Sequence, residues 1–275
     1  MDLFVSDLDG TLLNKNAQIS EYSLNTLNKL IDDGMHFTVA TARTFATVGK
    51  ILSKLKMTVP VILMNGVLVR DVQNNEYVFK AVIDKTAAEE IINAIHKHKL
   101  YGFMYTVSDN DMVAYFEKIA TPAMQEFYEE RKNEYYKAFS QVQDFSQICE
   151  DAVYFSLLNI QETLQPLYEE ILKINGVEAV FYRDVYSENL WYLEVFSSKA
   201  SKKNAVEFLR KKYNYDRVVC FGDNLNDIPL FQAADKRYAV ENARRELKEL
   251  ADGIIGSNTE NGVAEFLKQN YGKEF

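Results

Sequence analysis

A chain of 275 residues that is 47% hydrophobic carries enough apolar material for one large domain or two of moderate size. Its formal charge of −9 excludes the broad basic face a nucleic-acid binder needs, so an anionic ligand must meet a local positive group. Cys149 and Cys220 are too few and too far apart for a disulfide framework or a zinc site, and read as two small buried apolar residues.

The opening Met1-Asp2-Leu3-Phe4-Val5 has no basic segment ahead of its apolar run, and no run reaches membrane-span length, so a cytoplasmic setting without a membrane partner is expected. Leu3 to Val5 predicts a buried strand that stops at the acidic turn Asp7-Leu8-Asp9-Gly10-Thr11. Ser20 then caps a helix with Leu24, Leu27, Leu30 and Ile31 on one face and Gly34 as its stop. A second strand, Phe37 to Ala40, ends at Thr41; a helical stretch through Ile51 and Leu55 leads to a third, Val61 to Met64. Strand alternating with helix is the pattern of a parallel sheet with helices on its faces.

After Asn65-Gly66 the rhythm changes. Val67 to Val72 and Glu76 to Ile83 read as a hairpin across Gln73-Asn74-Asn75. From Asp84 to Phe196 the expected order is helix (Thr86 to Lys99), strands (Phe103 to Val107, Met112 to Phe116), a charged helical segment, a strand (Val153 to Leu158), a helix (Gln161 to Ile174) and strands (Val177 to Tyr182, Leu190 to Phe196). The α/β rhythm resumes with a helix from Ser201 to Tyr213, the strand Arg217 to Phe221, a second acidic turn, a helix beginning near Asn226, a strand around Tyr238 to Val240 and helices from Arg244 and Gly262. The fold class is therefore α/β: a doubly wound, Rossmann-like parallel-sheet core, residues 1–83 and 197–275, interrupted by an α+β cap, residues 84–196.

Two acidic turns carry the chemistry. Asp7 and Asp9 stand two residues apart at the carboxyl edge of a sheet, where open α/β sheets bind ligands. Adjacent acids repel, and a divalent cation with a taste for oxygen ligands, Mg²⁺, is the natural neutraliser. Gly10 lets the backbone turn and presents N–H groups to an anion. The second turn, Gly222-Asp223-Asn224-Leu225-Asn226-Asp227, again follows an apolar strand; in a doubly wound sheet Asp223 would face Asp7 and Asp9 across one metal. His36, His96 and His98 have no acids at ligand spacing and read as surface groups. The aromatics between residues 84 and 196, Tyr101, Phe103, Tyr105, Tyr115, Phe116, Tyr182, Tyr186, Trp191 and Tyr192 among them, read mostly as sheet packing.

Four ordered motifs make the chain similar to the haloacid dehalogenase superfamily, specifically its Cof-like phosphatases with a large α+β cap: Asp7-Leu8-Asp9-Gly10-Thr11-Leu12-Leu13, Thr41-Ala42-Arg43, a lysine near Ser201-Lys202, and Gly222-Asp223 through Asn226-Asp227. Asn65-Gly66, Ala239 to Ala243 and Asn261 to Ala264 are softer points of likeness. The resemblance implies that Asp7 attacks phosphorus and becomes an aspartyl phosphate, while Asp9 protonates the leaving oxygen and then deprotonates the attacking water. It implies Mg²⁺ held by Asp7, the Asp9 carbonyl and Asp223, with Asn226 and Asp227 in support. Thr41, Ala42, Gly10 and Lys202 would bind phosphate, with Lys199 and Lys203 as neighbouring alternatives to Lys202, and Arg43, Asn65 and Gly66 would touch substrate. Where many relatives carry Gly this chain has Ala42, and Ser197-Ser198-Lys199-Ala200 lacks the usual Pro and Gly. The implied activity is phosphomonoester hydrolysis of a small metabolite, a sugar phosphate or a phosphorylated cofactor. A phosphomutase or phosphotransferase of the same superfamily and a non-catalytic phospho-ligand binding protein are the alternatives.

Overall fold

The computed structural model describes residues 1–108, 111–133, 138–184, 187 and 189–273. The chain divides into two units, Met1–Phe79 with Ser201–Phe275, and Lys80–Ala200.

The first unit begins with β1 (Asp2–Ser6), α1 (Glu21–Asp32), β2 (His36–Val39), α2 (Phe45–Leu52), β3 (Val61–Leu63), β4 (Leu68–Asp71) and β5 (Glu76–Lys80). Ser20 caps α1, its Oγ accepting from Ser23 N–H at 3.0 Å, and Gly34 leaves the helix at φ +97°. β1 is continuously apolar because it runs parallel between two neighbours and is covered on both faces; Leu3, Phe4 and Val5 are all but inaccessible.

The inserted unit comprises α3 (Lys85–Lys97), β6 (Phe103–Ser108), β7 (Asp111–Phe116), α4 (Pro122–Asn133), β8 (Ala138–Gln141), β9 (Ala152–Asn159), α5 (Gln161–Ile171), β10 (Val177–Arg183) and β11 (Trp191–Ser197). Its sheet has the order β10-β11-β9-β6-β7-β8, antiparallel throughout except for the β7/β8 pair. Residues from α3 and α5, such as Ile91, Ile95, Leu164 and Leu167, form one core with Met104, Phe155 and Leu193 of the sheet. The expected sheet packing of aromatics is visible in Phe103 stacked on Phe127 of α4 and Tyr182 on Tyr192; Tyr186 lies outside the described residues. The sequence pattern does not announce β8, a four-residue edge strand, half exposed and without alternation.

The chain then returns through α6 (Lys202–Tyr213), β12 (Arg217–Gly222), α7 (Ile228–Ala233), β13 (Lys236–Val240), α8 (Arg245–Lys248), β14 (Gly253–Ile255) and α9 (Gly262–Asn270). The parallel sheet has the order β14-β13-β12-β1-β2. A parallel bridge from Ala40 to Ile62 continues it to β3, against which β4 runs antiparallel. The non-sequential partnership of β1 with β12 brings the two acidic turns together. β14, a three-residue edge strand, is the other element that no periodicity marks.

Two expectations need correction. Cys149 is exposed, because it falls in the loop between a short turn and β9, whereas Cys220 is buried in β12. His96 and His98 do have acidic partners: their Nε2 atoms lie 2.8 Å from Glu117 and from Glu170, both distant in sequence. No helix among the described residues is long and apolar enough to cross a membrane.

Candidate active site

Four neighbouring parallel strands, β13, β12, β1 and β2, end at one edge, and the residues following them make the site. The ladder runs one step past β1 and β2: Asp7 N–H donates to Phe221 O at 2.9 Å, Ala40 N–H to Ser6 O at 2.9 Å and Thr41 N–H to Ile62 O at 3.0 Å. Asp7 and Thr41 are therefore placed by the sheet itself, and both are buried.

After Asp7 the chain leaves strand geometry and residues 8–12 make one irregular turn, with Gly10 at φ +81°. The turn cannot close with a side chain at Gly10. A Cβ there would lie 2.4 Å from Asp223 Oδ2, besides requiring a backbone region that L-residues avoid. Thr11 Oγ1 donates to Asp223 Oδ1 at 2.9 Å, and Asn242 Nδ2, beyond the end of β13, donates to Gly10 O at 2.7 Å.

Lys202 is the first residue of α6, whose Ser201 cap accepts from Asn204 N–H. Only 1% exposed, it donates to Asp7 Oδ1 at 2.5 Å and to Asp227 Oδ1 at 2.7 Å. Asp227 is fully buried, and its other oxygen accepts from the N–H groups of Asp223 and Asn224. The α6 N-terminus can approach because Gly66, at φ +96°, has no side chain; a Cβ would sit 2.1 Å from Ser201 O. Lys203 is half-buried near Glu207, and Lys199 is exposed.

The electrostatics follow from burial. It pushes the Asp7 carboxyl up to about 8, with Lys202 pulling the other way and Asp227 adding to the rise. Burial likewise lifts Asp223 to about 6, although the Thr11 hydrogen bond opposes it. Burial works against the Lys202 ammonium too, but Asp7 and Asp227 hold its pKa above the usual lysine range. One ammonium thus serves three carboxylates, and the site is short of positive charge. Oxygens of Asp7, Asp223 and Asp227 lie within 4.8 Å of one another. Because Asp227 spends both its oxygens on Lys202 and the backbone, Asp7 and Asp223 are the carboxylates left to hold a cation. An all-oxygen, charge-deficient donor set of this kind fits Mg²⁺.

Asp9 differs from the expectation that the carboxylates of Asp7, Asp9 and Asp223 converge on one point. Its carboxylate turns to Arg43, whose Nε donates to Oδ2 at 2.8 Å and Nη2 to Oδ1 at 2.5 Å, because the irregular turn breaks the alternation that would align it with Asp7. The carbonyl expected to serve a metal is untouched by this pairing. Arg43 N–H donates to Thr41 Oγ1 at 3.1 Å, Arg43 O accepts from Met64 N–H at 3.1 Å, and Ala42 between them is exposed. Asn65 donates its N–H to Thr41 O and keeps a buried Oδ1 without a partner among the described residues. Gly66 is buried under the start of α6, where it has a packing part. Asn226 is exposed.

Sequence reasoning includes Thr11, Gly222 and Asn242 in its motifs and gives none of them a part in the site. Gly222 makes room for Asp227, whose Cβ and Oδ2 would each lie 2.8 Å from an added Cβ. Thr11 and Asn242 sit two residues beyond a motif carboxylate and a parallel strand end, and Gly222 is the last residue of β12; all three lie at the sheet edge that ligands reach.

The haloacid dehalogenase-like hydrolase family model matches residues 4–267, and the chain belongs to that family. Phosphatase YwpJ of Bacillus subtilis (strain 168) is 28% identical over 283 residues, covering 98% of this chain and 99% of its own. The 5-amino-6-(5-phospho-D-ribitylamino)uracil phosphatase YwtE of the same organism is 27% identical over 291 residues, covering 98% of each chain. The crystal structure of TM0651 from Thermotoga maritima matches with a TM-score of 0.79 at 26% identity, over 98% of this chain and 97% of that one. The protein is an enzyme, a phosphatase of this family.

Proposed function

We propose that the chain is a Mg²⁺-dependent phosphatase that hydrolyses a small phosphorylated metabolite, a sugar phosphate or phosphorylated cofactor, through an aspartyl phosphate at Asp7. The observation that carries this reading is the buried ammonium of Lys202, 2.5 Å from Asp7 and 2.7 Å from Asp227. A positive charge so placed can hold a phosphoryl group against a carboxylate nucleophile, and Asp227 fixes its direction.

An Asp7 oxygen attacks phosphorus and the bond from phosphorus to the leaving oxygen breaks; Asp9 gives that oxygen its proton, releasing an alcohol. Water then attacks the aspartyl phosphate, passes a proton to Asp9 and frees phosphate, so both groups return to their starting state. Thr41, whose Oγ1 accepts from Arg43 N–H, has a hydroxyl proton to give a phosphoryl oxygen, beside the N–H of Ala42. Held by Asp7, Asp223 and the Asp9 carbonyl, Mg²⁺ would supply charge that offsets repulsion between carboxylate and phosphate. Substrate choice is assigned to the inserted segment, residues 84–196. The name of YwtE, a phosphatase of a ribityl phosphate carried on a pyrimidine, supports a small sugar-like phosphoester as substrate class.

The test is a single-turnover comparison of Asp7→Asn and Asp9→Asn with an alkyl phosphate and p-nitrophenyl phosphate, with and without chelator. Asp7→Asn should form no phosphoenzyme from either. In Asp9→Asn, transfer from the alkyl phosphate should fall by about 10² to 10⁴, while the activated aryl ester, which leaves unaided, should transfer far better. Chelation should stop turnover and added Mg²⁺ should restore it. A burst retained in Asp7→Asn, or full turnover in excess chelator, would refute the reading.

A further inference from the structure

Asp9 is the acid of the first motif whose carboxylate stands apart from the buried cluster, and its side chain is half exposed. An acid in such a place ordinarily samples several rotamers, and a proton-transfer group that wanders is out of line most of the time. Here it is met by a planar fork. Nε and Nη2 of Arg43 each donate to a different oxygen of Asp9, which fixes the position of the carboxylate and the plane in which it lies.

The fork stands on a rigid mount. The main-chain N–H of Arg43 is tied to Thr41 Oγ1 and its carbonyl to Met64 N–H, so the residue is clamped between the ends of β2 and β3. Thr41 is itself buried and bonded into the sheet edge. Each carboxylate oxygen also has a second lone-pair site, so one oxygen can face a leaving group while the fork stays made.

We infer that Arg43 is a positioning residue for Asp9: it orients the carboxyl that exchanges a proton with the leaving oxygen, an assignment that rests on the acid/base role given to Asp9 above. A substrate contact at Arg43 would act on every ester alike. A positioning residue acts only where Asp9 is needed, and that difference can be measured.

Single-turnover transfer would be followed in Arg43→Met, Arg43→Lys, Asp9→Asn and the Asp9→Asn/Arg43→Met double variant, using p-nitrophenyl phosphate and an alkyl phosphate that the enzyme hydrolyses. Arg43→Met should slow transfer from the alkyl phosphate by about 10- to 100-fold, and from the aryl phosphate by less than about 3-fold. Arg43→Lys keeps the charge without the fork and should recover only part of the loss. The double variant should match Asp9→Asn within about 2-fold, as expected when one residue works through the other. Aryl transfer doubles as the check that each variant is folded. Equal losses with both esters carried in KM, or losses that multiply in the double variant, would overturn the inference and leave the acid role of Asp9 standing. Equal losses with both esters in Asp9→Asn alone would instead remove the acid role, and the inference with it.

Discussion

In the core unit an ammonium sits between two carboxylates; in the inserted unit a carboxylate sits between two bases. Lys202 meets Asp7 and Asp227 at 2.5 and 2.7 Å, and Glu170 meets Lys97 and His98, each at 2.8 Å. The distances are nearly alike, and solvent separates the two cases. Lys202 and Asp227 are sealed from water, so the ammonium is answered by its two carboxylates, and Asp227 by Lys202 and two backbone N–H groups. Lys97 is 67% exposed and Glu170 32%, so water answers most of their field. Similar bond lengths therefore mark an energetically committed device in one unit and a surface pairing in the other.

The comparison is tested hardest at Lys202. Lys202→Met strands two buried carboxylates, and stability should fall by about 3–5 kcal/mol, read as a lower melting temperature, with turnover lost for every ester. Adding Asp227→Asn removes one stranded charge, and should return part of the stability and none of the activity. Wild-type melting in the single variant would show that burial is not what makes this cluster expensive to break.

A smaller effect is expected where the cluster depends on backbone packing. Gly66→Ala puts a methyl 2.1 Å from Ser201 O and strains φ +96°, so the start of α6 must withdraw and carry Lys202 with it. A loss of about 1–3 kcal/mol is expected from the overpacking, with a fall in turnover out of proportion to it. Thermal melting and phosphate release on one preparation check both parts; unchanged turnover would mean that Lys202 reaches its partners however α6 sits.

The smallest effect belongs to Glu170. Hydrogen bonds from Lys97 and His98 hold its carboxyl below the ordinary glutamate value. A depressed acid contributes stability above its unfolded pKa and loses it as pH falls through the folded one. Glu170→Gln should therefore leave the melting temperature at pH 7 within about 2 °C of wild type, and the remaining difference should shrink as pH falls below the ordinary glutamate range and vanish once this depressed carboxylate is protonated. A large shift at pH 7 would erase the contrast between the two clusters.

Much of this architecture is legible in the sequence alone. The largely apolar strands β1, β2 and β12 end just before Asp7, Thr41 and Asp223, because a strand covered on both faces must stop at the sheet edge that ligands reach. Pairing of β1 with β12 follows from doubly wound topology, and with it the meeting of the acidic turns. Side-chain direction is another matter. Spacing of two residues makes Asp7 and Asp9 look equivalent, and only the turn at residues 8–12 separates them, sending one toward Lys202 and the other toward Arg43. Edge elements are also hidden: β8 and β14 are too short and too exposed to carry a period. The partners of His96 and His98 lie on segments that no spacing rule connects to α3.

The two bonds of Lys202 close very different lengths of chain. Asp227 is 25 residues away and Asp7 is 195, so joining the second costs about 2 kcal/mol more in loop-closure entropy if the chain between is unstructured. Long-range closure is slow as well as costly. The segment from α6 through the second acidic turn can pair its lysine with Asp227 early, keeping both charges matched during collapse. Asp7 reaches that lysine when β1 docks beside β12. A nascent or nicked chain that has not closed that last pairing holds no nucleophile beside its ammonium, and the hydrolase becomes active only as its sheet is completed.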